Sequence, residues 1–310
     1  MKGEFCRVLT SDGLELQGIL ATPEGGIADT SVLHVHGLAG NFYENRFVDD
    51  AAGAVTSCGM NFLTANNRGH DYISDFIVES NDGTTGSVQI GGVYEIFEDC
   101  VRDIAAWVGF LRSRGSKRII LQGHSHGALK VTYYFYREIN PGRAAEGGTA
   151  AGPEIAGMVL LSPSDDFGCQ RERVGEAFDE AIGAAREMVD RGAARDLLPP
   201  GYFHYPVSAR TFLDIFNGGS ALGMFNLSGT DRKHFAEIES INVPVLAIVG
   251  SVDEAFIGSP EAYLDSLKSQ LKNAQGFEGR VIEGAPHNYL GFDARVAGHI
   301  SGWLRSNFGC

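Results

Sequence analysis

Gly123-His124-Ser125-His126-Gly127 follows the apolar run Arg118-Ile119-Ile120-Leu121-Gln122 and precedes the helix-prone Ala128-Leu129-Lys130-Val131-Thr132-Tyr133-Tyr134. Strand, G-x-S-x-G, helix is the order a nucleophile elbow needs. The turn is so tight that the serine backbone is strained, and only glycine on both sides lets the helix close onto the strand. Ser125 is the candidate nucleophile. The bland alternative is a glycine-rich strand-to-helix turn with a solvated serine. The context argues against it, because suitable partners for a serine follow in the right order.

The rest of the chain alternates strand-like and helix-like runs, the pattern of a mostly parallel sheet with crossover helices. Strands are expected at residues 5–11, 16–22, 31–36, 60–66, 118–122, 156–162, 243–250 and 279–283. The first two flank Asp12-Gly13, a hairpin signal, so the sheet should open with an antiparallel pair. Helices are expected at 46–57, 95–114, 128–139, 260–273 and 294–307. In 95–114, Ile96, Val101, Ile104, Trp107, Val108 and Leu111 form the apolar stripe, leaving Glu98, Asp99, Arg102, Asp103 and Arg112 for solvent. Residues 140–153 read as a glycine-rich surface loop, and 75–92 as a mobile flap or excursion.

Between residues 162 and 243 the alternation breaks, over a length implausible for an unstructured loop. A helix at 171–191 and another at 209–216 are expected there. This gives an α/β core in two parts, 1–164 and 241–310, with a helical cap inserted at 165–240. The cap should lie over the carboxyl edge of the sheet, where open α/β sheets bind ligands. Tyr202, Phe203, Phe212 and Phe216 are its candidate substrate-binding residues.

A serine hydroxyl needs a base to take its proton and a third group to orient that base. Pro244-Val245-Leu246-Ala247-Ile248-Val249-Gly250 leads into Ser251-Val252-Asp253-Glu254, making Asp253 the candidate acid with Glu254 in reserve. Gly284-Ala285-Pro286-His287 follows the last strand and offers His287 as the base. The oxyanion would be held by backbone amides of His126, next after the serine, and of Leu38 in His36-Gly37-Leu38-Ala39-Gly40. His36 reads as a residue that shapes this loop. In Asn67-Arg68-Gly69-His70-Asp71 the arginine reads as a tie between loops, with substrate contact by Arg68 or His70 as the alternative.

The ordered set His36-Gly37, Asn67 to Asp71, Gly123 to Gly127, Asp253 and His287 resembles the α/β-hydrolase superfamily over nearly the whole chain. HGLAGNFYENRF, NFLTANNRGHDY, GHSHGALKV and the P-P-x-Y-F element at 199–203 resemble a branch that includes fungal fusarinine-type siderophore esterases. His126 departs from the pattern, since a smaller or apolar residue commonly follows the nucleophile. Its side chain could enter the pocket or fold beneath the helix.

The resemblance implies a serine hydrolase acting on a carboxylic ester or lactone, with no metal or organic cofactor. Cleavage of a carbon–carbon bond in a diketone-like substrate, with the same triad, is the alternative chemistry. A non-catalytic receptor on this scaffold is a third reading, disfavoured by the complete triad. A net charge of −14 opposes nucleic acid and anionic membrane surfaces as partners, leaving a small-molecule ester or lactone. Five scattered cysteines without a C-x-x-C pair fit a reducing, cytoplasmic location. The acyl group, the alcohol and the oligomeric state are left open by the residues.

Overall fold

The computed structural model describes residues 1–80, 82–139, 154–216, 221–227 and 235–310. Residues 140–153, the expected glycine-rich loop, lie outside it. Eight strands form one sheet: β1 (Glu4–Leu9), β2 (Glu15–Ala21), β3 (Thr30–Val35), β4 (Asn61–Ala65), β7 (Arg118–His124), β8 (Glu154–Leu161), β9 (Pro244–Gly250) and β10 (Gly276–Ile282). Their spatial order is β1-β2-β4-β3-β7-β8-β9-β10. β1 and β2 pair antiparallel, as do β2 and β4, and every later pair is parallel. All eight strands expected from the sequence are present, the last beginning three residues early.

Strand parity explains why the central strands read as unbroken apolar runs. Leu33, Leu121, Leu160 and Ala247 face one cluster, packed by Ile104 and Trp107 of α2 (Cys100–Ser113) and Leu129 of α3 (His126–Tyr134). Their chain neighbours Val32, Ile120, Val159 and Leu246 face the other. That side is covered by α1 (Phe47–Ser57) and α9 (Asp293–Phe308) through Phe47, Val55, Ile300 and Trp303. A sheet covered on both faces leaves no room for polar alternation. α8 (Pro260–Gln270) is capped by Ser259, whose hydroxyl accepts the Ala262 amide, with Pro260 at the first helical position.

Three expectations change. Residues 75–92 hold a paired hairpin, β5 (Asp75–Glu79) with β6 (Thr85–Gln89), bridged to the β1–β2 turn through Leu14 and Val78. The helix expected at 171–191 is two, α4 (Asp166–Val174) and α5 (Ala177–Asp190). They are separated by Gly175, whose φ of 54° a right-handed helix cannot continue through. Asp103, expected in solvent, is fully buried because Arg68 crosses from the loop after β4 to meet it.

Between β8 and β9 lie α4, α5, α6 (Ala209–Phe216) and α7 (Ala236–Glu239). Phe178, Ile182, Phe212 and Phe216 from this stretch join the same apolar cluster as one face of the sheet. Its entry is pinned twice: the Asp165 amide donates to the Ala255 carbonyl, and Asp166 bonds the ring of His126.

Candidate active site

Ser125 sits between β7 and α3 with φ 56° and ψ −128°, a conformation costly for a residue with a Cβ. Close packing enforces it. A Cβ on Gly123 would strike the Gly127 carbonyl, and one on Gly127 the Val35 carbonyl. Gly37 is constrained less tightly, since its Cβ would lie 3.0 Å from that of Ser125. Both glycines of the motif are therefore required for the close approach of helix to strand, and Gly37 leaves room beside the serine.

The Ser125 hydroxyl donates to His287 Nε2 at 2.8 Å, and His287 Nδ1 donates to Asp253 Oδ1 at 2.8 Å. Asp253 lies in the loop after β9 and also accepts the Ala255 amide at 2.9 Å through Oδ1. The structure thus brings together the three side chains named from the sequence. Glu254, the reserve acid, is exposed and turns toward the cavity instead. Burial acts to lower the pKa of His287, but the hydrogen bond and charge of Asp253 outweigh it and the pKa rises. For Asp253, burial acts upward and is overcome by the hydrogen bond and charge of His287, so the carboxyl stays below its ordinary value. The pair is built to favour a positive imidazole beside a negative carboxylate.

His36 is fully buried. Its Nδ1 donates to the Gly37 carbonyl at 2.8 Å, and its Nε2 accepts the Asn67 amide at 3.1 Å. Burial, aided by the charge of Lys130, holds its pKa well below the ordinary value and keeps the ring neutral. The side chain of His126 turns away from the cavity: it is buried, edge-on to Phe97, and its Nδ1 bonds Asp166 Oδ2 at 2.7 Å. The Asp166 carboxylate reaches the cavity in its place.

Two contributors were not singled out in the sequence. His124 donates from Nε2 to the His287 carbonyl at 2.9 Å and so holds the loop of the base. Burial, with His287 nearby, pushes its pKa down to about 3. A histidine at the variable position of G-x-S-x-G was the available signal. Asp166 gave none, because its contact lies 40 residues away.

A cavity of about 320 Å³ opens over Ser125 and His287. Leu38, Ala39 and Tyr72 line it from the sheet edge; Asp166, Gln170, Arg173, Phe203, Tyr205 and Phe216 line it from the β8–β9 segment. Of the four aromatic residues expected there, Phe203 and Phe216 are present. Phe212 is buried behind them against both rings, and Tyr202 turns its hydroxyl to Glu180 at 3.0 Å. The wall is more charged than that expectation, with Glu44, Asp166 and Glu254 against the single guanidinium of Arg173. Arg173 donates to His204 Nδ1 at 2.8 Å.

Arg68 and His70 do not line the cavity. Arg68 forks onto Asp103 at 2.8 and 3.0 Å and onto Asp12 at 3.0 and 3.1 Å, tying the loop after β4 to α2 and to the β1–β2 turn. His70 bonds Asp71 at 2.8 Å and stacks edge-on to Phe76. Among the described residues no group of three or more His, Cys, Asp or Glu is placed to hold a metal ion, and no helix is long and apolar enough to cross a membrane. All five cysteines are free thiols.

The eight-stranded order, with its antiparallel start and a serine on the strand-to-helix turn after β7, defines an α/β-hydrolase fold. The chain belongs to the family described as Protein of unknown function (DUF1749), which matches residues 87–298. Several solved structures share the fold. The siderophore hydrolase EstB from Aspergillus fumigatus superposes with a TM-score of 0.65 at 16% identity, over 100% of this chain and 99% of its own. Est1E from Butyrivibrio proteoclasticus, solved with ferulic acid bound, gives 0.63 at 17% identity, over 98% and 100%. An esterase from Pyrococcus furiosus gives 0.62 at 19% identity, over 99% and 92%. No curated protein matches the sequence.

Proposed function

We propose that this protein is a serine hydrolase that cleaves a carboxylic ester or lactone through an acyl-enzyme. The observation that carries the reading is the continuous pair of 2.8 Å hydrogen bonds from Ser125 through His287 to Asp253, ending on a strained serine at the floor of a cavity. Ser125 Oγ attacks the carbonyl carbon while its proton passes to His287 Nε2. Asp253 stabilises the imidazolium, and the amides of Leu38 and His126 receive the negative oxygen. Collapse breaks the bond to the alcohol oxygen, which leaves with the proton from His287. Water, activated by the same imidazole, then attacks the acyl carbon and frees the serine.

The esterases and the siderophore hydrolase among proteins of this fold support ester chemistry over cleavage of a carbon–carbon bond. Residues 165–240 act as the cap that selects substrate, and the five unpaired thiols favour a reducing, cytoplasmic setting. The test is a panel of p-nitrophenyl esters, lactones, amides and diketones offered to the wild type and to Ser125→Ala. Ester or lactone turnover lost in the variant is expected; turnover of diketones alone would move the assignment to carbon–carbon hydrolysis.

A further inference from the structure

Beneath the site lies an ion pair that the proposed chemistry does not use. Lys130, on α3 five residues after the serine, is fully buried, and Glu95 is 3% exposed. Their Nζ and Oε1 atoms are 2.5 Å apart. Burying two opposite charges is costly even when they meet, so a pair kept here calls for a use beyond packing. Its surroundings suggest one. Lys130 Nζ also donates to Asn67 Oδ1 at 2.9 Å, and the Gly69 amide donates to the same oxygen at 2.9 Å. A Cβ on Gly69 would meet the Glu95 carboxylate, so a larger residue there would have to push that side chain from its place beside Lys130.

From Asn67 the chain of contacts runs to the oxyanion loop. The Asn67 backbone N–H donates to His36 Nε2, which leaves the imidazole proton on Nδ1, and Nδ1 donates to the Gly37 carbonyl. That carbonyl also accepts the Gly40 amide at 3.2 Å. The Gly37 carbonyl and the Leu38 amide are opposite ends of one planar trans peptide, so fixing the first aims the second. The aimed group is the Leu38 N–H assigned to the oxyanion.

Resting on the serine-hydrolase reading, we infer that Lys130 is a positioning residue for the oxyanion hole, anchored by Glu95 and acting through Asn67 and His36 on the Gly37–Leu38 peptide. Lys130 touches no reacting atom. It fixes Asn67, which fixes the ring and tautomer of His36, which holds the peptide plane. Glu95 keeps the ammonium seated without leaving a lone charge in the interior.

The test pairs Lys130→Met with Glu95→Gln, so that no isolated charge is buried, and compares kcat, KM and the inhibition constant of an aryl boronic acid with the wild type. Circular dichroism and melting report whether the variant is folded. A boronate adduct places an oxygen in the oxyanion hole, so it reports the aim of the amide directly. Removing an oxyanion donor costs about 100- to 1000-fold in kcat; a misaimed donor should cost about 10- to 100-fold, with KM within about threefold. The boronate constant should weaken by a similar factor. If that variant does not fold, Lys130→Gln with Glu95→Gln retains a donor for Asn67, and a smaller loss in kcat at unchanged KM is expected. A folded variant with wild-type kcat and boronate affinity overturns the inference. A wild type that turns over no ester or lactone speaks against the serine-hydrolase reading itself.

Discussion

The carboxyl edge of the sheet and the segment between β8 and β9 meet at one cavity but are built differently. At the edge, Ser125, His287 and Asp253 stand on short turns directly after β7, β10 and β9, and glycines force backbone onto backbone around them. In the segment, cavity residues are carried by helices and irregular stretches that pack side chain to side chain, as Phe203, Phe212 and Phe216 do. Backbone contacts leave few ways to move, while side-chain contacts can be exchanged. The edge is suited to hold chemistry constant and the segment to vary what is accepted.

The largest effects should fall at the edge. Ser125→Ala is expected to lower kcat by about 1,000,000-fold, and Asp253→Asn by about 10,000-fold, with circular dichroism unchanged. Comparable activity in either variant would break the division of labour. Only neutral His287 can accept the serine proton, so activity falls as pH drops through its raised pKa, and the acid limb of kcat/KM should lie above the ordinary histidine value of 6.5. Residual activity in Asp253→Asn should show that limb displaced to lower pH. An unmoved limb would assign it to another group.

Next in size are effects on stability. Arg68→Met leaves the buried carboxyl of Asp103 without its guanidinium, a loss of about 3–5 kcal/mol by urea denaturation. Phe212→Ala, behind the cavity wall, should cost about 3–5 kcal/mol while the order of preferred substrates stays the same. Phe203→Ala and Phe216→Ala should instead shift relative kcat/KM across an ester chain-length series, by about 1–3 kcal/mol per methylene. If Phe212→Ala re-ranks substrates and Phe203→Ala does not, the wall has been assigned to the wrong residues. The smallest effect should come from Tyr202→Ala and Glu254→Gln on neutral esters, within about threefold in kcat/KM. A loss in Glu254→Gln exceeding that in Asp253→Asn would transfer the orienting role.

Legibility in the sequence follows the same division. The edge was readable because each of its parts is a local pattern: an apolar run, then glycine, then the reactive side chain. Ser125, Asp253 and His287 carry that pattern after Gly123, Gly250 and Gly284, and His36 ends an apolar run directly before Gly37. Helical periodicity assigns Asp103 to solvent because it sees only its own helix, whereas the residue that buries it, Arg68, comes from 35 positions away. Asp166 was missed for the same reason. The hairpin at β5 and β6 escaped because its strands are short and mostly exposed, with little apolar alternation to mark them. In the segment, aromatic residues on a helix could face either the cavity or the core, and only the packing of α6 separates Phe216 from Phe212.

The proposed hydrolase needs Ser125 to be a nucleophile made reactive by His287. A fluorophosphonate forms a covalent bond with such a serine, and peptide mapping by mass spectrometry locates it. A single adduct on Ser125 is expected in the wild-type protein and none in His287→Ala under the same exposure. An adduct on a different residue, or equal labelling of Ser125 without the imidazole, would contradict it.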